Sequence, residues 1–470
     1  MRQTLELRRI VQAAGLVLWL GSGTAALAAG FQLNESSASG LGNAFAGGAA
    51  AAEDASTLWS NVAGLTKLKG RQGVAVLHLI TPSINFKDGG SVRATAQPTL
   101  GDLGGDAGGL NVVPGTYLVL PVNAALTAGM GITAPWGLVT EYDKTWIGRF
   151  QATKSSIQTL NINPGIAWKV SPGVSLGLGL NAQRMVAQFD NQVNYSGALL
   201  SAATSAGLPA ATIGALATAT AGLESSASVK GTDTAWGWNI GALWDLDSGS
   251  RIGLHYRSAV KYQIGGKVVF ANPALPTIAS PALAGAAANL AAAVNAQALY
   301  NGAVSSQVKL PAVLNLSYFG SLDRQWDLMA DAQWTQWSTI QNLTFTRANG
   351  TVLQSTPEAF KDSWKLAVGV NYRPGGAWMW RGGLAVDQTP VRDAYRTARL
   401  PDSNRTWVAG GAQYAFSPTV KLDFGAAYLF AKRATIDSSV HLPPAQGSGV
   451  VKGTYDNHTT ILSGQVSMVF

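Results

Sequence analysis

The sequence predicts an all-β chain: a 14-stranded antiparallel transmembrane β-barrel with an N-terminal hatch, or plug, in its lumen and partly helical extracellular loops. Three observations carry this. Stretches of roughly ten residues alternate apolar and polar side chains. Tight turns interleave with long connections, and aromatic residues gather near the strand ends, with Phe470 closing the last strand. A soluble sandwich shares only the first of these features.

Composition agrees. The 470 residues include 54 Gly and no Cys, with 47% apolar and only 12% charged, where about 25% charged is usual in soluble chains. The lack of Cys excludes a disulfide scaffold, thiolate metal sites and cysteine catalysis. No stretch beyond the leader reaches the roughly 18 uninterrupted apolar residues of a membrane helix, so the positive mean hydropathy of +0.13 is carried by alternation.

The elements follow in order. Arg2, Arg8 and Arg9, an apolar run from Ile10 to Leu20 and the small Ala26-Leu27-Ala28 have the order of a secretory signal. The expected leader is 1–28. Its removal takes away three Arg and Glu6, which lowers the net charge from +8 to +6 and leaves no concentrated basic face for nucleic acid. Residues 29–70 lack strand patterning and are rich in Gly and Ala. They nonetheless carry Phe31, Leu33, Leu41, Phe45, Leu58 and Trp59, too many large apolar groups for a free tail. This segment is expected as a compact plug within a barrel formed by 71–470.

Along the barrel, Leu176, Leu178 and Leu180 oppose Ser175, Gly177, Gly179 and Asn181. Leu254 and Tyr256 oppose His255 and Arg257, and Phe424, Tyr428 and Phe430 oppose Asp423. Six tight turns, at 121–123, 171–173, 245–250, 322–325, 373–377 and 417–419, alternate with seven long loops, one of nearly forty residues. Trp168, Trp244, Trp326, Trp378 and Trp380 flank the turns, and Trp136, Trp146, Trp337 and Trp364 lie near the loops, as two interfacial girdles would require. Two loops read as helical. Ser280-Pro281 is an N-cap and first-turn pair, Gly302 a stop, and Leu283, Ala287, Leu290, Val294 and Ala298 share a face. Pro209 to Gly222 repeats the idea with Ile213 and Leu216, after Leu199 and Leu200. These faces are candidates for an external apolar groove, or for packing on one another.

The stretch from Ala29 to Gly48, which includes Phe31-Gln32-Leu33-Asn34-Glu35-Ser36-Ser37-Ala38, followed by Glu53-Asp54-Ala55-Ser56-Thr57-Leu58-Trp59-Ser60-Asn61-Val62-Ala63-Gly64, resembles the hatch of the FadL/OmpP1/TodX family of outer-membrane transporters for hydrophobic compounds. The resemblance continues in Trp146 to Phe150, Leu160 to Pro164, Arg251 to Ser258, Trp334 to Ser338, Asp387 to Val391 and Pro401 to Arg405, across the mature chain. It implies a monomeric barrel in the outer membrane of a Gram-negative cell. Such a barrel moves fatty acids or hydrocarbons by loop capture, lumen binding, hatch rearrangement and lateral exit, without a cofactor. Outer-membrane lipid and lipopolysaccharide are its expected surroundings, and Phe470, a terminal aromatic on the last strand, is expected to be read by the barrel-assembly machinery. Phe31 and the triplet Asn61-Val62-Ala63 are the candidate gating residues. The family's triplet has Pro where Val62 stands, which predicts a softer turn. Lateral exit would use the third strand, where Gly129, Gly131, Pro135 and Gly137 disfavour regular pairing or simply end a strand.

Long-chain fatty acids are the first substrate reading, with toluene-like hydrocarbons as the alternative within the family and a polar porin or a surface receptor outside it. A carboxylate needs a cation or donors once buried. Inward parity makes Arg251, Arg257, Lys261, Arg381, Arg405 and Lys421 candidates, unless they neutralise Glu35, Glu53 and Asp54 of the hatch or Asp327, Asp331 and Asp387 of the wall. No enzyme is expected. Gly173-Val174-Ser175-Leu176-Gly177 matches a nucleophile motif but opens a strand rather than joining strand to helix, and His78, His255, His441 and His458 have no metal-ligand spacing.

Overall fold

The computed structural model of the chain describes residues 30–440 and 447–470. The expected leader at 1–28 and His441 lie outside them. Twenty strand segments form one antiparallel sheet. They are β1 (Gln72–Asp88), β2 (Asn111–Pro121), β3 (Leu126–Thr133), β4 (Gly137–Glu141), β5 (Lys154–Ser171), β6 (Val174–Asn194), β7 (Glu224–Asp245), β8 (Ser250–Arg257), β9 (Val260–Ala271), β10 (Gly302–Leu310), β11 (Val313–Ser321), β12 (Trp326–Thr335), β13 (Asn342–Arg347), β14 (Val352–Pro357), β15 (Ser363–Gly375), β16 (Trp378–Asp387), β17 (Arg405–Ala415), β18 (Val420–Ala431), β19 (Ala434–Asp437) and β20 (Lys452–Val469). Six strands are broken in two (β3/β4, β8/β9, β10/β11, β12/β13, β14/β15 and β18/β19), so the segments make a fourteen-stranded wall. Register from Gln72↔Val469 to Asp88↔Gly453 joins β1 to β20 and closes the barrel.

Side-chain parity sets the two surfaces. On β6, Leu176, Leu178 and Leu180 face outward, while Ser175, Asn181 and Gln183 are buried inside. On β18, Phe424, Tyr428 and Phe430 are exposed, with Asp423 buried. Trp168, Trp244, Trp326, Trp378 and Trp380 are exposed beside the short turns, as one girdle requires. The second girdle differs from the expectation. Trp364 is exposed, but Trp136 and Trp337 are 3% and 0% exposed and Trp146 is equally buried. Each follows a point where its strand stops and the chain turns into the lumen, and the outward aromatics on that side are instead Trp236 and Trp238.

The strand breaks also shift parity. Between β8 and β9 the chain passes through Ser258 and Ala259, after which the even-numbered Val260, Tyr262 and Ile264 point inward. Lys261, expected in the lumen, therefore faces out, and Lys421 is exposed near the last turn of the wall. Several strands are longer than the roughly 9–11 residues a bilayer crossing needs: β6 has 21 and β7 has 22. The longest connections shrink accordingly, to 195–223 and 272–301.

Residues 30–71 precede the wall and pack inside it. A short helix, Ala38–Gly42, lies against β17, β18 and β20; a second, Gly48–Ala51, lies against β8 and β11; a 3-10 turn, Val62–Lys67, lies against β5, β6 and β7. Contacts on opposite sides of the barrel hold this segment as a plug, and its Leu41, Leu58, Val62 and Leu65 are buried completely.

Candidate functional site

The plug is fixed by main-chain contacts that only a bare wall permits. The Asn61 side chain accepts from Ala63 N–H at 3.0 Å, capping the 3-10 turn, and donates to the Ala49 carbonyl at 2.7 Å and the Ala242 carbonyl of β7 at 2.9 Å. A Cβ at Gly241 would overlap that Asn61 Oδ1, and one at Gly253 would overlap the Ala49 carbonyl. Val62 occupies the position just after the cap, where proline is readily accommodated because the N–H has no helical partner anyway. Here its side chain fills the space beside Gly165 and Gly177. Ser175 of the chance nucleophile motif lies inside β6 and accepts from Thr66 Oγ1 at 2.7 Å.

The inward cations hold plug and wall together. Arg381 pairs with Glu53 at 2.7 Å and Asp423 at 3.0 Å. Arg257 stacks its guanidinium over Trp59 at 3.4 Å and donates to the Trp59 carbonyl at 2.8 Å. Arg251 donates to the Ala51 carbonyl at 2.8 Å, and Arg405 pairs with Asp402. Buried charges need such partners, since an unpaired one costs several kcal/mol. None of these four borders the apolar pocket described next.

The loop helices face one another. Asn194 caps a helix, Tyr195–Ser205, that sequence reading left unassigned; the others are Ala210–Ala219 and Pro281–Gln297, the last capped by Ser280 as expected. It ends at Gln297, because Gly302 already opens β10. Leu199, Leu200, Leu216, Leu290 and Val294 are buried in one cluster, with Ile213 and Leu283 packed at its margin. Their apolar faces are consumed in packing.

The apolar space lies lower, inside the upper wall, as a partly open pocket. Its lining includes Leu138 of β4, Ile157 of β5, Met185, Ala187 and Phe189 of β6, Ile264 of β9, Val308 of β10, Leu343 and Phe345 of β13, and Phe31 of the plug. Two charged groups from loops border it. Arg399 donates to the Lys154 carbonyl and Ser155 Oγ, both at 3.2 Å, and its guanidinium lies 5.4 Å from the Phe189 ring centre. Burial pulls Arg399 down to about 10, against the pull of Glu358 and Asp190. Burial likewise pushes the Glu358 carboxyl up to about 8, Arg399 opposing, so it is largely protonated at neutral pH. Neither residue was singled out in the sequence, because both sit in irregular loops. The apolar lining did leave a signal: on β6 the inward positions change from Asn181 and Gln183 to Met185, Ala187 and Phe189, while outward Leu gives way to Arg184 and Gln188.

One end of the pocket reaches a break in the third strand. β2 pairs with β3 from Pro121↔Thr127 to Thr116↔Ile132, and β4 then pairs only with β5. Gly129 and Gly131 lie within the regular ladder below the break, facing Leu58 of the plug; Pro135 lies in the break, and Gly137 begins β4. The N-terminal tip of the plug spans it. Leu33 N–H donates to the Pro135 carbonyl at 2.8 Å, and Gly137 N–H to the Phe31 carbonyl at 2.9 Å. Phe31 sits edge-on to Trp136 at 6.0 Å and Trp337 at 4.9 Å, and those two rings meet at 5.5 Å.

Comparison with known proteins gives this geometry its context. The profile of the outer membrane protein transport protein family (OMPP1/FadL/TodX) matches residues 20–470. The chain is 30% identical over 451 residues to the long-chain fatty acid transport protein of Escherichia coli strain K12, covering 93% of this chain and 95% of that one. In structure it is similar to a Pseudomonas aeruginosa FadL homologue (TM-score 0.81, 24% identity, 94% and 100% covered) and to the P. putida toluene transporter TodX (TM-score 0.61, 17% identity, 88% and 94% covered).

Proposed function

The chain belongs to the OMPP1/FadL/TodX family of outer-membrane transporters for hydrophobic compounds, and from that premise we propose that its own substrates are long-chain fatty acids. The observation that carries the reading is the pocket. Its walls suit an acyl chain, since burying apolar surface gains about 25 cal/mol per Å². At its edge Arg399 offers a cation, and a protonated Glu358 offers an O–H, to one carboxylate. A toluene-like ligand would offer neither group a hydrogen-bond partner.

The route follows from what blocks it. The plug closes the lumen, so a ligand in the pocket cannot continue downward without displacing contacts on several strands. Sideways, the plug tip spans the break beside the start of β4, and Glu141 N–H donates to the Ala107 carbonyl at its far end. Withdrawing Phe31 and Leu33 breaks two main-chain hydrogen bonds, each worth about 0.5–1.5 kcal/mol, and joins the pocket to the outer face of the wall. Asn61, Val62 and Ala63 stay docked as the fixed base of that movement. No cofactor or enzymatic step enters this route.

The test is uptake of labelled oleate and labelled toluene by cells that lack their own transporter and express this chain or its Arg399→Gln variant. Oleate uptake that falls with the substitution is the expected result. Uptake of toluene alone would overturn the fatty-acid reading.

A further inference from the structure

The wall has a second break, on the other side of the pocket. β10 is paired with β9 along its whole length, from Gly302↔Val268 to Leu310↔Val260. On its other edge it meets β13 only at Val304↔Arg347 and Ser305↔Thr346. Pairing across this seam resumes only beyond the 3-10 turn Trp337–Thr339, where Val313 of β11 pairs with Thr335 of β12. Between these points 306–309 face 342–345 without a ladder, a slot about 13 Å tall at 3.3 Å per residue. Its lower end is held by Thr339 Oγ1 donating to the Lys309 carbonyl at 3.0 Å.

Three further observations give the slot a purpose. The apolar pocket extends into it, for Ser306, Val308, Ile340 and Leu343 line both. Ser306 Oγ is buried there with no hydrogen-bond partner. Outside, Lys261 and Lys309 stand directly opposite each other on β9 and β10, both exposed. Neither ammonium joins an ion pair among the described residues. Asp233 of the neighbouring strand already accepts from the N–H groups of Thr234 and Gln263. Like charges directly across a ladder repel unless an anion lies between them.

We propose that this slot is the port through which an anionic amphiphile enters the pocket, its carboxylate received by Lys261 and Lys309 while its chain passes between β10 and β13. The port rests on the fatty-acid reading for its ligand. It goes beyond that reading by assigning separate openings to entrance and exit, with Phe31, Trp136 and Trp337 between them.

The experiment compares oleate with oleyl alcohol, which has the same chain and no charge, in cells expressing the wild type, Lys261→Glu/Lys309→Glu, or Gln307→Cys/Thr344→Cys. Gln307 and Thr344 would face each other if the ladder continued. The chain has no other thiol, so a bifunctional thiol reagent acts only across the slot. In the charge-reversed variant the concentration for half-maximal oleate uptake rises about tenfold, with the maximal rate and oleyl alcohol uptake unchanged. Cross-linking the cysteine pair lowers uptake of both. Unaltered oleate uptake in both variants, with heat-modifiable migration showing folded barrels, would overturn the port. Failure of the wild type to take up either compound would instead overturn the fatty-acid reading.

Discussion

The two breaks in the wall are sealed by different means. At the third strand the missing pairing is replaced by main chain, because the plug tip lays Phe31 to Leu33 along Pro135 to Gly137. At the ninth strand, between β12 and β13, no main chain replaces it: from Ser306 to Lys309 β10 pairs with β9 alone, and the side chains of Ser306, Val308, Ile340 and Leu343 border the gap. A main-chain seal is uniform and releases as a unit when the tip moves. A side-chain seal is graded, and yields to whatever competes for the same apolar contacts. A broken strand is therefore not a single kind of opening.

Four measurements separate the two seals. The largest effect is expected from Trp337→Ala, which removes the fully buried ring lying between the two breaks and leaves a cavity. Stability of the reconstituted barrel in urea falls by about 3–5 kcal/mol, and Trp136→Ala, at the sealed break, falls by a similar amount if the rings are one unit. Next comes Arg399→Gln. Losing a charged hydrogen-bond partner costs about 1.5–3 kcal/mol, so oleate affinity measured by titration falls by one to two orders of magnitude, with oleyl alcohol little affected. Leu33→Pro removes the donor to the Pro135 carbonyl, worth about 0.5–1.5 kcal/mol. It raises thiol-reagent access to a cysteine placed at Leu138 without altering access at Gln307. The smallest effect is in pH. Glu358, held near 8, is neutral below that value and charged above it, so oleate binding weakens as pH rises from 7 to 9, and Glu358→Gln flattens the profile.

Much of this was legible in the sequence because the bilayer and the lumen impose opposite demands on alternate residues. Leu176, Leu178 and Leu180 against Asn181, or Phe424 against Asp423, need no structure to be sorted. Parity fails where a strand stops. Lys261 reads as inward because the two residues between β8 and β9, Ser258 and Ala259, carry no mark of a break, and Trp136 and Trp337 read as girdle residues for the same reason. The pocket lining was readable in principle. Above the bilayer the outside is water, so the apolar face turns inward at Met185, Ala187 and Phe189, and the alternation survives with its phase reversed. Arg399 and Glu358 were not readable, since their position depends on where two loops fold back over the rim.

The closing seam has a consequence for biogenesis. Phe470 N–H donates to the Arg71 carbonyl at 2.9 Å, so the last residue of the chain meets the residue at which the plug ends and the wall begins. The plug meets glycines on several strands around the lumen. A plug lying across the open sheet before β20 reaches β1 would be enclosed as the seam closes, as a ship is built around its engine.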